Sequence, residues 1–152
     1  MTDPTSFIST TPNYSLPYLF AGQSQKEFFV NQAHMLLDTL VHTTIIGQSA
    51  VAPASPDDGD TWLIAASPSG DWTGQEGNIA TFTGTGWLFI HPRVGMRAFD
   101  QQTGQTLLFD NNWQTAEAPS QPQSGATIDV EARQTIAEII SELRNLGIFA
   151  RS

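Results

Sequence analysis

Between residues 50 and 113 the chain alternates short β-prone runs with polar turns, and this alternation limits the folds open to it. The runs "NIATFT", "WLFIHP", "MRAFD" and "QTLLFD" are separated by segments rich in glycine, asparagine or aspartate. Runs of this length and spacing are typical of antiparallel hairpins. Gly84 and Gly86 flank one predicted turn, between Phe82 and Trp87. Gly104 supplies the positive φ that a second tight turn needs.

Residues 24–41, "SQKEFFVNQAHMLLDTLV", have the apolar spacing of an amphipathic helix. The face that this spacing predicts to be buried consists of Phe29, Ala33, Leu36, Leu37 and Leu40. The opposite stripe is polar and is predicted to face solvent or an interface; its members are Glu27, Asn31, His34 and Asp38.

The C-terminal part of the chain is predicted to be a linker followed by a helix. Residues 115–126, "TAEAPSQPQSGA", have a linker composition, and Asp129 and Gly147 suit the two ends of a helix. Apolar residues repeat in steps of four and three along it, at Ala132, Ile136, Ile139, Leu143 and Leu146. A helix of this kind after a linker either packs back on its own β-domain or joins copies of the chain. We expect the seam to join copies, in which case its central isoleucines favour trimers over dimers.

These patterns predict an α+β fold with four parts. Residues 1–15 form an extended arm that needs a partner or neighbouring subunit to order it, and residues 16–114 form an N-terminal helix packed on an antiparallel β-domain. Residues 115–126 form the linker, and residues 127–152 form the oligomerisation helix.

Charge and composition exclude several classes of function. A formal net charge of −9 disfavours binding to nucleic acid, and the chain has no cysteine for disulfides or thiolate metal sites. The N-terminus has no signal-peptide pattern and no apolar run is long enough to span a bilayer, so we expect a protein made in the cytoplasm without a membrane partner. The segment "PDDGD" lacks the further ligands of a calcium loop, so it predicts a turn, and no metal or cofactor is expected.

The four tryptophans lie between residues 62 and 113, where they serve either a core or a ligand site. Trp62 and Trp87 sit within apolar strands and are predicted to be core. The segment around Trp72 is polar and rich in turn formers, so its ring is predicted to be the most exposed. Sugars stack their C–H faces on such rings while polar neighbours bind their hydroxyl groups. The candidate sugar-binding residues are therefore Trp72, Asp71, Gln75 and Trp113.

Catalysis has little support in the sequence. The chain has no nucleophile elbow, and His91 stands in "FIHPRVG" without a catalytic motif around it. Hydrolysis of a glycan needs only two suitably spaced carboxylates, so a small hydrolase stays open as an alternative. The prediction is a protein that is not an enzyme.

Four segments also carry a resemblance to a known family. "AGQSQKE", "GDTWL", "GWLFIHPRVGMRAFD" and "LLFDNNW", in this order, are similar to an uncharacterised family of alphaproteobacterial proteins. That family occurs in prophages and in gene transfer agents, which are phage-like particles that package host DNA. The similarity covers about residues 16 to 113, and the terminal helix separately resembles helices that close phage tail-fibre proteins.

The resemblance implies a structural component of a phage-like particle, at a head spike or fibre, among other particle proteins. It carries over no catalytic residue. Combined with the aromatic segments, it predicts an adhesion protein that contacts host surface polysaccharide. The alternatives are a stand-alone carbohydrate-binding module and, less favoured, the small glycan hydrolase.

Overall fold

The computed structural model describes residues 10–12, 16, 18, 26–120 and 129–151, and they form the predicted α+β fold. The two helices are α1 (Lys26–Val41) and α2 (Val130–Asn145). The first five strands are β1 (Thr44–Ile45), β2 (Gln48–Val51), β3 (Thr61–Ser69), β4 (Ile79–Phe82) and β5 (Trp87–Ile90). The last three are β6 (Arg97–Asp100), β7 (Gln105–Asp110) and β8 (Asn112–Gln114). No helix in these described ranges is long and apolar enough to cross a membrane.

The strands form two four-stranded sheets with the same arrangement. The first sheet has the order β2-β3-β4-β5 and the second has the order β1-β6-β7-β8. In each sheet the last three strands are the predicted antiparallel hairpins, and the first strand runs parallel to its neighbour. The sheets are therefore mixed, whereas the sequence predicted an antiparallel domain.

The two parallel strands belong to one short segment that crosses from one sheet to the other. The amides of Phe99 and Gln101 donate to the carbonyls of Thr43 and Ile45, at 2.9 Å each. At the next residue the segment changes partner: the amide of Ile46 donates to the carbonyl of Thr61 at 2.8 Å, and the amide of Leu63 donates to the carbonyl of Gly47 at 3.1 Å. This single segment is therefore hydrogen-bonded to both sheets and connects them.

Alternate residues of β3 and β4 face two different apolar clusters, as the period of a strand requires. The central cluster joins both sheets and consists of Ile45, Leu63, Ile79, Ile90, Ala98 and Leu107. The outer cluster covers the other face of the first sheet and consists of Ile64, Trp72 and Ala80, with Trp62, Trp87 and Phe89 packed against it.

Helix α1 lies within the predicted range, but the prediction of its buried face was wrong. The side chains of Phe29, Leu37 and Leu40 are 72%, 52% and 43% exposed. Ala33 is also exposed, and Leu36 alone of the five packs against the central cluster. Among the side chains of α1 that the structure describes, the buried ones are Met35, Asp38 and Thr39.

Hydrogen bonds explain why α1 buries polar groups. The hydroxyl of Thr39 donates to the carbonyl of Met35 at 3.0 Å and meets the hydroxyl of Thr81 at 3.3 Å. Asp38, which was assigned to the solvated stripe, accepts a bond of 2.7 Å from the hydroxyl of Thr11. Burying polar groups costs little free energy when they are hydrogen-bonded in this way. Helix α1 therefore packs on the domain through a hydrogen-bonded face and not through the predicted apolar face.

Thr11 and Pro12 belong to the predicted N-terminal arm, and both contact their own chain. Thr11 bonds to α1, and a Cβ added at Gly59 would lie 2.6 Å from Pro12. These residues are therefore held without a neighbouring subunit. Residues 1–9 and 13–15 of the arm lie outside the described residues, as do residues 121–128 of the linker and of the approach to α2.

Helix α2 has both of its predicted ends. The carboxylate of Asp129 accepts the amide of Ala132 at 2.9 Å, which makes it the N-cap. At the other end Gly147 has a φ of 70°, and its amide donates to Arg144 while the amide of Ile148 donates to Leu143. These two bonds form a Schellman motif, for which the left-handed conformation of Gly147 is required.

After α2 the chain returns to the second sheet. The amide of Thr106 donates to the carbonyl of Gly147 at 2.7 Å, and the side chain of Gln105 donates to the carbonyl of Ile148 at 3.0 Å. Phe149 forms a bridge with Ala116 in the first part of the predicted linker. The C-terminal helix is thus attached to the β-domain at its far end.

Candidate functional site

The structure buries the residue that the sequence analysis placed at the centre of a ligand site. Trp72 is 0% exposed, in a 3₁₀ turn that folds over the outer face of the first sheet. Its ring meets Trp87 edge-on, with centroids 5.0 Å apart. The prediction of an exposed Trp72 was wrong because the polar residues around it form the turn, while the ring itself completes the outer cluster. Trp72 has no open face on which a sugar could stack.

Trp62 and Trp87 are half-buried and pack against the same outer cluster, as predicted. Asp71 is exposed in the 3₁₀ turn, beside the buried Trp72. The first pair of predicted site residues therefore forms no binding surface, since Asp71 has no open aromatic ring beside it in this turn.

A groove of about 670 Å³ lies between the first sheet and the β7–β8 hairpin. We call it the Trp113 groove; its lining includes residues 63–66 of β3 together with Gln48, Glu76, Asn78, His91, Phe109, Asn112 and Trp113. It brings two of the predicted site residues together, because Trp113 lines it and Gln75 contacts Asn78 in its wall.

The ring of Trp113 is held in a fixed orientation. It follows a tight turn at Asn111, whose φ of 60° is a conformation that asparagine tolerates. The indole N–H donates to the carbonyl of Gly77 at 2.9 Å. Phe109 meets the ring edge-on, with centroids 5.3 Å apart and planes at 64°. These two contacts, together with packing against the central cluster, hold the half-buried ring at the side of the groove.

A chain of polar side chains forms another wall. The amide of Asn78 donates to the side-chain oxygen of Gln75 at 2.8 Å, so its own oxygen faces Nδ1 of His91 at 2.9 Å. With this amide orientation, Nδ1 of His91 is the donor, and Nε2 of the neutral ring is left as an acceptor. His91 is exposed and Asn78 is buried, so the network presents a positioned imidazole at the surface.

The register of the sheet explains why Asn78 and His91 meet. Ile79 pairs with Ile90, so the residue before β4 lies opposite the residue after β5. From the sequence, His91 was considered only as a catalytic group, and its pairing with Asn78 was not predicted. The signal was present in the register that the Gly84–Gly86 turn imposes on the two strands.

The rim of the groove adds amides and a carboxylate. Asn111 and Asn112 are exposed at the tip of the β7–β8 hairpin, and Glu76 is exposed on the opposite side. The backbone amide of Ser67 donates to the carboxylate of Glu76 at 3.4 Å. Amides that both donate and accept, beside a fixed ring, suit a ligand with many hydroxyl groups and apolar C–H faces.

The predicted oligomerisation residues lie along α2 and differ in exposure. Ile136, Ile139 and Leu146 are 39%, 54% and 73% exposed, while Leu143 is half-buried. Ile140, next to Ile139 but outside the predicted seam, is buried. An apolar stripe at coiled-coil spacing is thus accessible on the single chain.

A small acidic group lies between α1 and the "PDDGD" turn. Burial and the nearby carboxylate of Asp38 raise the pKa of Asp58, and burial with the charges of Asp58 and Asp38 raises the pKa of Tyr18. The turn itself is closed as predicted, with the amide of Asp57 bonded to the carboxylate of Asp60 at 3.0 Å. In the part of the chain that the structure describes, no group of three or more His, Cys, Asp or Glu side chains could hold a metal ion.

No curated protein matches the chain. The match to a family model covers the region from the middle of α1 to the end of β8, which includes both sheets and the Trp113 groove. Residues 30–114, more than half of the chain, match the family model described as "Protein of unknown function (DUF2793)", and the chain therefore belongs to this family.

Proposed function

We propose that this protein is a non-enzymatic adhesion component of a phage-like particle, at a spike or fibre, and that it contacts bacterial surface polysaccharide. The observation that carries the adhesion part is the Trp113 groove, where a fixed aromatic ring lies beside Asn78, His91 and Asn112. The particle part has separate support, which is the resemblance of the four quoted segments to proteins of prophages and gene transfer agents.

The groove offers the two kinds of contact that a sugar ring needs. Trp113 offers an aromatic surface to the C–H face of a pyranose, and its orientation is set before binding by Gly77 and Phe109. A preset ring loses little freedom on binding, which favours affinity. The side chains of Asn112 and His91 are exposed and offer donors and acceptors to vicinal hydroxyl groups.

The carboxylates support binding in preference to hydrolysis. Glycosidases place a pair of carboxyl groups across the scissile bond, about 5 to 10 Å apart. Among the described lining residues of the Trp113 groove, Glu76 is the one carboxylate. A groove with a ring, amides and one carboxylate holds a sugar without the second group that cleavage requires.

The accessible stripe of α2 supports assembly into homo-oligomers, with a trimer favoured by the isoleucines at its centre. Ile136 and Ile139 are partly exposed, and self-association would remove both from water. A trimer would carry three Trp113 grooves, which increases the strength of attachment to a repetitive polysaccharide.

Adhesion is tested with polysaccharide purified from the surface of recipient cells and immobilised on a sensor. The parent protein should bind, and Asn112→Arg should lower the affinity at least about tenfold, because the long cation fills the rim of the groove. Ser141→Arg on an exposed position of α2 is the control with the same change in charge, and it should bind as the parent does. Equal binding by Asn112→Arg and the parent would refute the groove as the site.

The particle assignment needs a separate test. Particles purified from a strain that encodes the protein should contain it, and particles from a deletion strain should adsorb more weakly to recipient cells. Protein that binds polysaccharide but is absent from purified particles would instead favour the stand-alone binding module. Release of reducing sugar from the bound polysaccharide would favour the hydrolase.

A further inference from the structure

Helix α1 has the ordinary polarity of its two faces reversed. The face that packs on the domain buries Met35 together with Asp38 and Thr39, whose polar groups are hydrogen-bonded. The opposite face is apolar, and Leu37 and Val41 are 52% and 69% exposed on it. A surface helix of a globular protein ordinarily turns its apolar face to the core. An apolar face that the domain leaves exposed therefore indicates a surface on which another molecule binds.

The apolar residues of this outer face have the spacing of a coiled-coil seam. They follow one another in steps of three, four and three residues, which places them at alternating a and d positions. We call this seam the α1 stripe; its members are Val30, Ala33, Leu37 and Leu40. The exposed side chains of Phe29 and Val41 flank its two ends. A second helix can pack along the α1 stripe without disturbing the face that α1 turns to its own domain.

The α1 stripe is self-complementary about its midpoint, which falls at the height of Met35. When two copies of α1 lie antiparallel with their midpoints level, Val30 of one copy shares a layer with Leu40 of the other. Ala33 shares the next layer with Leu37 of the other copy. Each layer then joins an a position to a d position, and the small alanine beside the large leucine lets the two helices interdigitate.

The distribution of charge also favours this face for contact between copies. The chain has 15 acidic residues and a net charge of −9, so two copies repel each other over most of their surfaces. Among the described side chains of α1, the one carboxylate is that of Asp38, which is buried on the opposite face. The exposed Lys26 extends the α1 stripe at its first turn, and in an antiparallel pair the two lysines lie at opposite ends, about 27 Å apart along the helices.

We infer that the α1 stripe binds the same stripe of a second copy of the chain, with the two helices antiparallel about a two-fold axis. A two-fold contact of this kind uses the same residues on both copies and closes at two. The contact is separate from the α2 stripe of the proposed function, and neither contact requires the other.

The size of the α1 stripe determines how strong this contact is. Six side chains on each copy cover less than the roughly 800 Å² per partner that a standard stable interface buries. A single α1 pair should therefore form reversibly and dissociate on dilution. Copies that are already held together through α2 would present several α1 stripes at once, which raises the effective concentration of each contact.

Sedimentation equilibrium tests the pair in the variant Ile139→Glu, which removes the α2 stripe from the measurement. The mass should be that of one chain in dilute solution and should rise to that of two chains, and no further, as the concentration increases. Adding Leu37→Glu should weaken the pairing at least about tenfold, because it places a charge at the centre of the seam. Gln32→Glu adds the same charge at an exposed position of α1 outside the stripe, and it should leave the pairing unchanged.

Disulfide formation tests the orientation of the two helices, since the chain has no cysteine of its own. A mixture of Val30→Cys and Leu40→Cys should become crosslinked, because the two positions share a layer. Each variant alone should crosslink at least about tenfold more slowly, since its two thiols lie about 15 Å apart along the helices and a disulfide spans about 7 Å between Cα atoms.

Three results would decide against the pair or for it alone. An Ile139→Glu variant that stays monomeric at every concentration, or that associates equally well with Leu37→Glu added, would overturn the α1 pair and leave the proposed function standing. Crosslinking of each cysteine variant with itself as fast as in the mixture would overturn the antiparallel arrangement. A parent whose mass falls with Leu37→Glu but not with Ile139→Glu would support the α1 pair and refute the α2 contact.

Discussion

Replacing Trp72 with alanine should strongly destabilise the protein, because this ring is the centre of the outer cluster. The side chain is 0% exposed and contacts Trp87 as well as the apolar residues of β3 and β4. Emptying a buried tryptophan costs about 3–5 kcal/mol. A domain of this kind has a free energy of unfolding of about 5–15 kcal/mol, so the loss is a large fraction of the total. We expect the melting temperature to fall by roughly 6–20 °C.

Urea denaturation followed by circular dichroism measures this loss without relying on tryptophan fluorescence. Asp71→Ala is the matched control in the same turn, and its exposed side chain should change the free energy of unfolding by less than about 0.5 kcal/mol. Trp72→Phe should fall between the two, since it keeps an aromatic ring, and the indole N–H has no hydrogen-bond partner among the described residues. A loss below about 1 kcal/mol for Trp72→Ala, with an unchanged denaturant slope, would show that the ring is not a core residue.

Three further predictions concern α2, its end and the acidic group. Ile139→Glu should convert the proposed homo-oligomer to a monomer in light scattering, because it places a charge in the apolar stripe of α2. Ser141→Glu should leave the mass unchanged, and a parent that is already monomeric would refute the proposed oligomer. Gly147→Ala should cost about 1–2 kcal/mol in urea denaturation, since its φ is 70° and the new Cβ would lie 3.2 Å from Phe99; an unchanged midpoint would contradict the Schellman end. Asp58→Asn should raise the melting temperature by at most about 2 °C near neutral pH, because the exposed charge is well screened. The folded pKa of Asp58 is raised, so its charge destabilises the fold as pH rises through that pKa, and the difference should vanish below the ordinary aspartate pKa of about 3.9; an equal effect at both pH values would refute this cause.

The hairpins and the ends of α2 could be predicted from the sequence because local chemistry determines them. Gly84 and Gly104 have φ values of 75° and 66°, which few other residues adopt, and Asp129 caps the helix through its own side chain. Each of these features needs only its near neighbours. They were therefore readable without knowledge of the tertiary fold.

The buried face of α1 and the position of Trp72 depend on distant partners. Asp38 is buried because Thr11 bonds to it, and Trp72 is buried because its turn reaches the outer face of β3 and β4. Neither contact can be inferred from the apolar periodicity of α1 or from the polarity of the residues around Trp72. The parallel pairing was missed for the same reason, since β1 pairs with β6, a strand that lies far from it in the sequence.

The Trp113 groove was predictable in part. Trp113 and Gln75 were identified from their residue types, but Asn78 and His91 enter the site through strand register. Trp72 and Asp71 were predicted as site residues because their segment is polar, but those polar residues form a turn that buries the ring of Trp72. Residue type thus indicated the chemistry of a candidate site, while pairing between strands determined which residues form it.

The four indole N–H groups give the most direct test of the proposed binding surface. Each tryptophan contributes one resolved signal to an ¹⁵N-correlated NMR spectrum, and substitutions assign the four. Titration with uncharged oligosaccharides from recipient-cell polysaccharide should shift the signal of Trp113 in a saturable way, while the signals of Trp62 and Trp72 stay in place. Saturable binding that leaves Trp113 unmoved, or that shifts Trp72 alone, would contradict the account.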